Sequence, residues 1–68
     1  MKSSVEFEQE EDGRWIAEVP DLPGVLVYGA TREEAFRGVE ALALRVLADR
    51  IENGEFPTGS LSLSFEAA

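Results

Sequence analysis

Four glutamates are the residues of this chain whose type and spacing could support chemistry. Three alternate along one short segment and the fourth lies on the next, in the order Glu6, Glu8, Glu10 and Glu18. Alternate residues of a strand share one face, so the row predicts a sheet surface lined with carboxylates. Carboxylates are ligands for Mg²⁺, Ca²⁺ and Mn²⁺, and two such ions about 4 Å apart would support nuclease chemistry.

Nuclease chemistry of this kind needs acidic residues that converge from several elements, and the sequence gives no sign of such convergence. Acidic side chains are mostly exposed in folded proteins. We therefore interpret the row as a solvated strand face whose best functional use is contact with a basic partner. We predict that the chain is not an enzyme, with no catalytic residue, no metal site and no cofactor.

Composition removes several further classes of function. Cysteine and histidine are both absent, which excludes disulfides, Cys/His zinc sites, Cys–His dyads and Ser–His–Asp triads. The net charge is −8, with 14 acidic residues against 6 basic ones. This acidity argues against direct contact with nucleic acid, and it is equally consistent with a basic protein partner or with solubility alone.

The sequence shows no pattern typical of a membrane span or of an export signal. No apolar run approaches the roughly 20 residues that span a bilayer. The first eleven residues are polar and acidic, unlike a secretory signal peptide. We therefore expect a cytoplasmic protein with no membrane contact.

Hydrophobic periodicity predicts four strands and one helix. The strands are expected over residues 4–10, 14–19, 25–28 and 60–65, with a short frayed tail after the last one. Asp-Gly at 12–13 is a hairpin signal, and the prolines of the 20–24 turn cannot lie inside a ladder. The helix is expected over 32–53, beginning at a capping box of Thr31 and Glu34 and ending at Gly54.

The helix carries one broad apolar stripe and an extension of it to one side. The stripe comprises Ala35, Phe36, Val39, Leu42, Ala43, Val46 and Leu47, and the extension comprises Leu44 and Ile51. The element order β-β-β-α-β predicts a two-layer α+β domain, in which an antiparallel meander is followed by a crossover helix. The fourth strand is then expected to run parallel to strand one or strand three.

One helix covers one face of the sheet, so the other face is left open. Ile16 should lie on that open face, together with either the Leu26/Tyr28 pair or the Val25/Val27 pair. A 68-residue core is marginal in stability, and a fourth strand without Lys or Pro would be an unprotected edge. We therefore expect a homo-oligomer or a protein partner.

Two single residues are further candidates, and a third, Trp15, is expected in the core. Asp21 lies in the 20–24 turn, where it could contact a partner but more commonly bonds to nearby backbone. Tyr28 is an aromatic residue of the type enriched at interfaces, whereas Trp15 shares the face of Ala17 and Val19 and is expected in the core. The candidates for partner contact are thus Glu6, Glu8, Glu10, Glu18, Asp21 and Tyr28.

The segment around the PDLPG turn resembles the N-terminal domain of the HicB antitoxin family. The residues that carry the resemblance are Gly13, Trp15, Ala17, Val19, the turn 20–24, Val27, Gly29, Thr31, Glu34 and Ala35. They span about a third of the chain. One departure is Val25, where family members often have Cys.

The resemblance implies a partial ribonuclease H-like fold that has lost nuclease activity and that binds and blocks a small toxin ribonuclease, HicA. Many members add a C-terminal DNA-binding segment. The sequence ends soon after Phe65, so we expect a single HicB-like domain over 1–68 without that segment. Our first hypothesis is an antitoxin-like module that neutralises a small basic ribonuclease. The alternative is a solitary homo-oligomeric scaffold or ligand-binding protein that has no toxin partner.

Overall fold

The fold is a four-stranded mixed sheet with one helix packed on it. The computed structural model describes residues 2–55 and 62–68. In chain order the elements are β1 (Lys2–Gln9), β2 (Trp15–Glu18), β3 (Leu26–Gly29), α1 (Arg32–Glu52) and β4 (Ser64–Ala67). The predicted α+β class and the β-β-β-α-β order are confirmed.

The sheet has the strand order β3-β2-β1-β4. β1 is shared between two neighbours: its first half pairs in parallel with β4, and its second half pairs antiparallel with β2. β2 and β3 complete the antiparallel meander. The fourth strand therefore runs parallel to strand one, which was one of the two expected placements, and β3 and β4 are the edges.

The position of the fourth strand differs from the prediction. Residues 60 and 61 of the predicted strand lie outside the described residues, and 62–63 precede the strand that forms. The prediction of a frayed tail after residue 65 was wrong. Glu66 and Ala67 pair with Ser4 and Val5, and the backbone N–H of Ala68 donates to the Val5 carbonyl at 2.9 Å. The alternation of Leu and Ser does not reveal this register, because the register depends on pairing with β1, which is distant in the chain.

The helix ends are defined by local hydrogen bonds. The Thr31 hydroxyl accepts from the backbone N–H of Glu34 at 3.0 Å. The reciprocal bond from the Glu34 carboxylate is absent among the described residues, so only half of the predicted capping box forms. At the other end Gly54, at φ 74°, allows a Schellman motif, in which Gly54 and Glu55 donate to the carbonyls of Ile51 and Arg50.

The predicted helix stripe forms the core with the sheet. Its fully buried members are Ala35, Val39, Ala43 and Leu47, and Phe36, Leu42 and Val46 pack against them. Val5 and Ala17 of the sheet, and Val19 directly after β2, are fully buried, and Trp15 is half-buried against this core as expected. The extension residues Leu44 and Ile51 remain exposed.

The 20–24 turn anchors the end of the meander through a residue that sequence analysis passed over. Leu22 is 2% exposed and belongs to the core cluster. Its N–H donates to the Val19 carbonyl at 3.0 Å and its carbonyl accepts from Val25 at 3.0 Å. Gly24, at φ 86°, gives the backbone a conformation that other residues rarely adopt. Leu22 therefore holds this turn against the core.

Ser3 provides a test of the packing between β1 and β4. It is 1% exposed, and its hydroxyl has no hydrogen-bond partner within the described part of the chain. Burying a hydroxyl without a partner costs about 1–3 kcal/mol. We expect Ser3→Ala to raise the free energy of unfolding by about 1 kcal/mol in a urea titration. A loss of stability would contradict this account, and the exposed Ser4→Ala is the matched control.

Candidate protein-interaction face

The sheet face that points away from the helix, here called the open face, is formed by alternate residues of all four strands. They are Lys2, Ser4, Glu6 and Glu8 of β1, Ile16 and Glu18 of β2, Leu26 and Tyr28 of β3, and Ser64 and Glu66 of β4. Ile16 lies opposite Tyr28, and Glu18 lies opposite Leu26. The register therefore places the Leu26/Tyr28 pair on the open face, whereas Val25 and Val27 face the helix and the core.

Three of the four predicted glutamates come together at the centre of this face. Glu6 pairs directly with Glu18 across the strands, and Glu8 pairs with Ile16. Directly opposed side chains have Cβ atoms about 5 Å apart, and like charges in that position destabilise a sheet. Glu10 lies beyond the end of β1, where its N–H donates to the carbonyl of Arg14 in the hairpin connection.

The cations of the described residues do not neutralise these carboxylates. Within residues 2–55 and 62–68, the ion pairs join Lys2 to Glu66 at 3.4 Å and Arg14 to Asp12 at 2.8 Å. Glu6, Glu8 and Glu18 thus share the centre of the open face without a basic neighbour in ion-pair range. That arrangement raises the local concentration of negative charge and favours a cationic ligand.

Arg14 is held at the hairpin end of the face. Its guanidinium lies 4.7 Å from the centre of the Tyr28 ring and bonds to the Asp12 carboxylate. The backbone N–H of Arg14 also donates to Asp12, and this hydrogen bond holds the pKa of the Asp12 carboxyl below its usual range, with the guanidinium adding to the effect. In this structure the Arg14 guanidinium thus contacts Asp12 and Tyr28, and it makes no ion pair with Glu6 or Glu18.

Apolar side chains lie beside the carboxylates. Leu26 is 40% exposed and Tyr28 is 52% exposed, while Ile16 is half-buried. A depression of about 150 Å³ opens at this junction, lined by Glu6, Phe7, Glu8, Ile16, Glu18 and Leu26. Ligand pockets for metabolites are about 300–1,000 Å³, so the depression fits one or two side chains of a protein partner better than a small molecule.

The remaining candidates stand apart from this centre. Asp21 is exposed in the 20–24 turn, and its carboxylate makes no hydrogen bond to any residue that the structure describes, so the expected bond to nearby backbone is not formed. Over the same residues, no group of three or more acidic side chains is arranged to hold a metal ion. The glutamate row is a charged surface in this structure.

Arg14 and Leu26 contribute to the face but were not among the predicted contact residues, and Leu26 was named only in one of the two pairs expected on the open face. The alternation of β2 could have identified Arg14, because residues 14, 16 and 18 alternate with the core positions 15, 17 and 19. Leu26 could not be placed without the register of β3 on β2, which the 20–24 turn determines.

Glu6→Lys tests whether repulsion between Glu6 and Glu18 lowers the stability of the sheet. The substitution replaces a Glu–Glu cross-strand pair by a Lys–Glu pair, and opposite charges across a strand pair contribute about 0.2–1 kcal/mol. We expect an increase of this size in the free energy of unfolding, measured in urea at low salt. It should shrink in 1 M salt, where surface charges are screened. Destabilisation at low salt would show that Glu6 and Glu18 do not repel each other.

None of the described helices is long and apolar enough to cross a membrane. Comparison with known proteins gives no match: no family model fits the sequence, and neither a curated protein nor a solved structure is significantly similar to it. The resemblance to the HicB family therefore stays a prediction that depends on the residues of the 13–35 segment.

Proposed function

We propose that this chain is a protein-interaction module of the antitoxin kind, which binds a small basic ribonuclease through its open face and silences it. One observation carries the proposal. Glu6, Glu8 and Glu18 are grouped around an apolar depression, and no described cation pairs with them. A partner that inserts Lys or Arg beside an apolar side chain would relieve their mutual repulsion and bury Ile16 and Leu26 in the same step.

The nature of the partner follows from the same charges. A protein that binds RNA needs a basic surface, because most of its affinity comes from phosphate contacts. An acidic face that covers that surface competes directly with RNA. The proposed domain would thus inhibit by occupying the RNA-binding surface, and it would need no catalytic group of its own. The resemblance to HicB supports this choice of partner, since HicB antitoxins block a small ribonuclease.

Affinity capture of the tagged chain from its native lysate at low salt tests the proposal. The expected result is stoichiometric recovery of a small basic protein that degrades RNA when freed and is inactive in the complex. Recovery of a partner without ribonuclease activity would reject the antitoxin function, even if that partner binds the open face.

The alternative is a solitary homo-oligomeric scaffold or ligand-binding protein. Leu44 and Ile51 favour it, because these exposed apolar residues lie on the helix, away from the open face. Capture would then return only the chain itself, as an oligomer of defined size. Because the two functions use different surfaces, substitutions on the open face separate them.

A further inference from the structure

We infer that Asn53 is a site of spontaneous covalent modification in the folded protein, where its side-chain amide is lost as ammonia and the residue becomes aspartate or isoaspartate. This goes beyond the proposed function, because the site lies at the C-terminal end of α1 and uses no part of the open face. Asn53 is the only asparagine of the chain, and a glycine follows it. Gly54 has no side chain that could hinder attack by its backbone nitrogen.

The reaction needs water and no other reactant. The deprotonated backbone nitrogen of Gly54 attacks Cγ of Asn53, so that a new C–N bond closes a cyclic imide. The bond from Cγ to the side-chain nitrogen breaks, and this nitrogen leaves as ammonia with the proton that the backbone gave up. Water then opens the ring at either of its two carbonyl groups. One opening gives aspartate, and the other gives isoaspartate, in which the chain continues through the side chain.

A second site with the same potential chemistry, Asp12 followed by Gly13, is restrained at both reacting groups. The backbone N–H and the guanidinium Nε of Arg14 donate to the two oxygens of the Asp12 carboxylate at 3.0 and 2.8 Å. The backbone hydrogen bond from Arg14 also holds the pKa of Asp12 below its usual range. The group therefore stays ionised, and an ionised carboxylate resists attack. The Gly13 nitrogen donates to the Glu10 carbonyl at 2.9 Å.

The Asn53 side chain is held much more weakly. Asn53 is exposed, and its amide is uncharged. Its Nδ2 donates to Oδ2 of Asp49 at 3.4 Å, which is long for a hydrogen bond. No described residue donates to its Oδ1. The amide carbon is therefore open to attack, whereas the corresponding carbon of Asp12 is not.

The helix cap controls when the attack can occur. The N–H groups of Gly54 and Glu55 donate to the carbonyls of Ile51 and Arg50 at 3.1 and 2.9 Å, and Asn53 has ψ 5°. Rotation about that bond must bring the Gly54 nitrogen towards Cγ, so the cap has to open first. Residues 51–55 are all exposed, and such chain segments open locally at little cost in free energy. Local opening, without unfolding of the domain, therefore exposes Asn53 to the reaction.

Both products weaken the end of the helix. Aspartate at this position places a carboxylate at the negative end of the helix dipole and four residues from Asp49, and both contacts are unfavourable. Isoaspartate adds a methylene group to the main chain, which displaces the Gly54 and Glu55 N–H groups from the carbonyls of Ile51 and Arg50. Asn53→Asp reproduces the first product. We expect it to lower the melting temperature by about 2–6 °C at low salt.

The rate of ammonia loss at several urea concentrations tests the inference. The wild-type chain is incubated in neutral buffer, and mass spectrometry follows the fragment that contains Asn53. We expect conversion in the native state, at a rate that stays constant in urea concentrations below the unfolding transition and rises within it. A native chain that stays unmodified while the urea-unfolded chain converts fully would overturn the inference. A rate proportional to the unfolded fraction at every concentration would overturn it too.

Asn53→Gln is the matched control, because it keeps the amide but must close a larger ring. The acidic variants that accumulate in the wild type should form many-fold more slowly in this variant. Their undiminished formation would place the modification elsewhere, and isoaspartate at Asp12 would identify the competing site. Conversion in the wild type should also speed up with rising pH, because the attacking nitrogen must lose its proton. A chain that stays unmodified would leave the partner proposal unaffected, since Asn53 lies outside the open face.

Discussion

Gly29→Ala should lower the free energy of unfolding by about 2–3 kcal/mol, the upper part of the range for overpacking. A Cβ at this position would lie 2.5 Å from the backbone nitrogen of Ala35 and 2.9 Å from its Cα, so the first turn of the helix would have to move off the sheet. In a domain of this size the melting temperature should fall by about 10–20 °C. Thermal unfolding followed by circular dichroism measures the effect.

Gly38→Ala is the matched control for this close approach. Its Cβ would lie 3.2 Å from Cγ2 of Val27, a side-chain atom that can adjust. The substitution also gains about 1 kcal/mol of helix propensity, which offsets the tighter contact. We expect a change smaller than about 1 kcal/mol in either direction. Equal stability of Gly29→Ala and the wild type would mean that the helix is not seated on β3 as described.

Reversing the charge at the centre of the open face should weaken binding of the basic partner by about 100-fold or more, because like charges opposed across an interface cost several kcal/mol. The variant is Glu6→Lys together with Glu18→Lys. The two substituted residues still face each other across the strands as like charges, so the stability of the sheet should change little. Calorimetric titration of the captured partner into each variant gives the ratio of affinities.

A second double variant controls for net charge. Glu52→Lys together with Glu55→Lys changes the charge by the same amount at the end of the helix, away from the open face. This control should bind within a few-fold of the wild type at physiological salt, where charges separated by more than about 8 Å are largely screened. Equal weakening by both variants would mean that only net charge matters and that the open face is not the binding surface.

Local patterns predicted most of the fold. The alternation of Val5, Phe7, Ala17 and Val19 identified the buried sheet face, and the spacing of apolar residues from Ala35 to Leu47 identified the buried helix face. These predictions succeed because the buried face of a strand or helix follows from the spacing of its apolar residues, and that spacing can be read from a single segment. The helix ends were accurate for the same reason, since Thr31 and Gly54 act through their nearest neighbours in the chain.

What failed depends on contacts between distant segments. The bounds of β4 follow from its pairing with the first four residues of β1, and the pattern of β4 alone does not show which part of β1 it meets. The choice between the Leu26/Tyr28 and Val25/Val27 pairs for the open face needed the register that the 20–24 turn imposes. Leu22 was missed because turn residues are expected at the surface, whereas this one reaches the core.

The candidate site shows the same division. The glutamate row was evident from its period, but the pairing of Glu6 with Glu18 and the contact of Arg14 with Tyr28 join different segments of the chain. Their combination turns a generally acidic surface into a local group of carboxylates that lacks basic neighbours. Asp21, a candidate from the same analysis, lies apart from that group in the 20–24 turn.

The most direct test of the proposed function is the rate of RNA cleavage by the captured basic protein as the wild-type chain is added back. The proposal predicts that cleavage falls in proportion to added chain and stops at stoichiometric addition, while the Glu6→Lys, Glu18→Lys variant inhibits only at concentrations about 100-fold higher. Cleavage that continues unchanged when the wild-type chain is in saturating excess would contradict the antitoxin function.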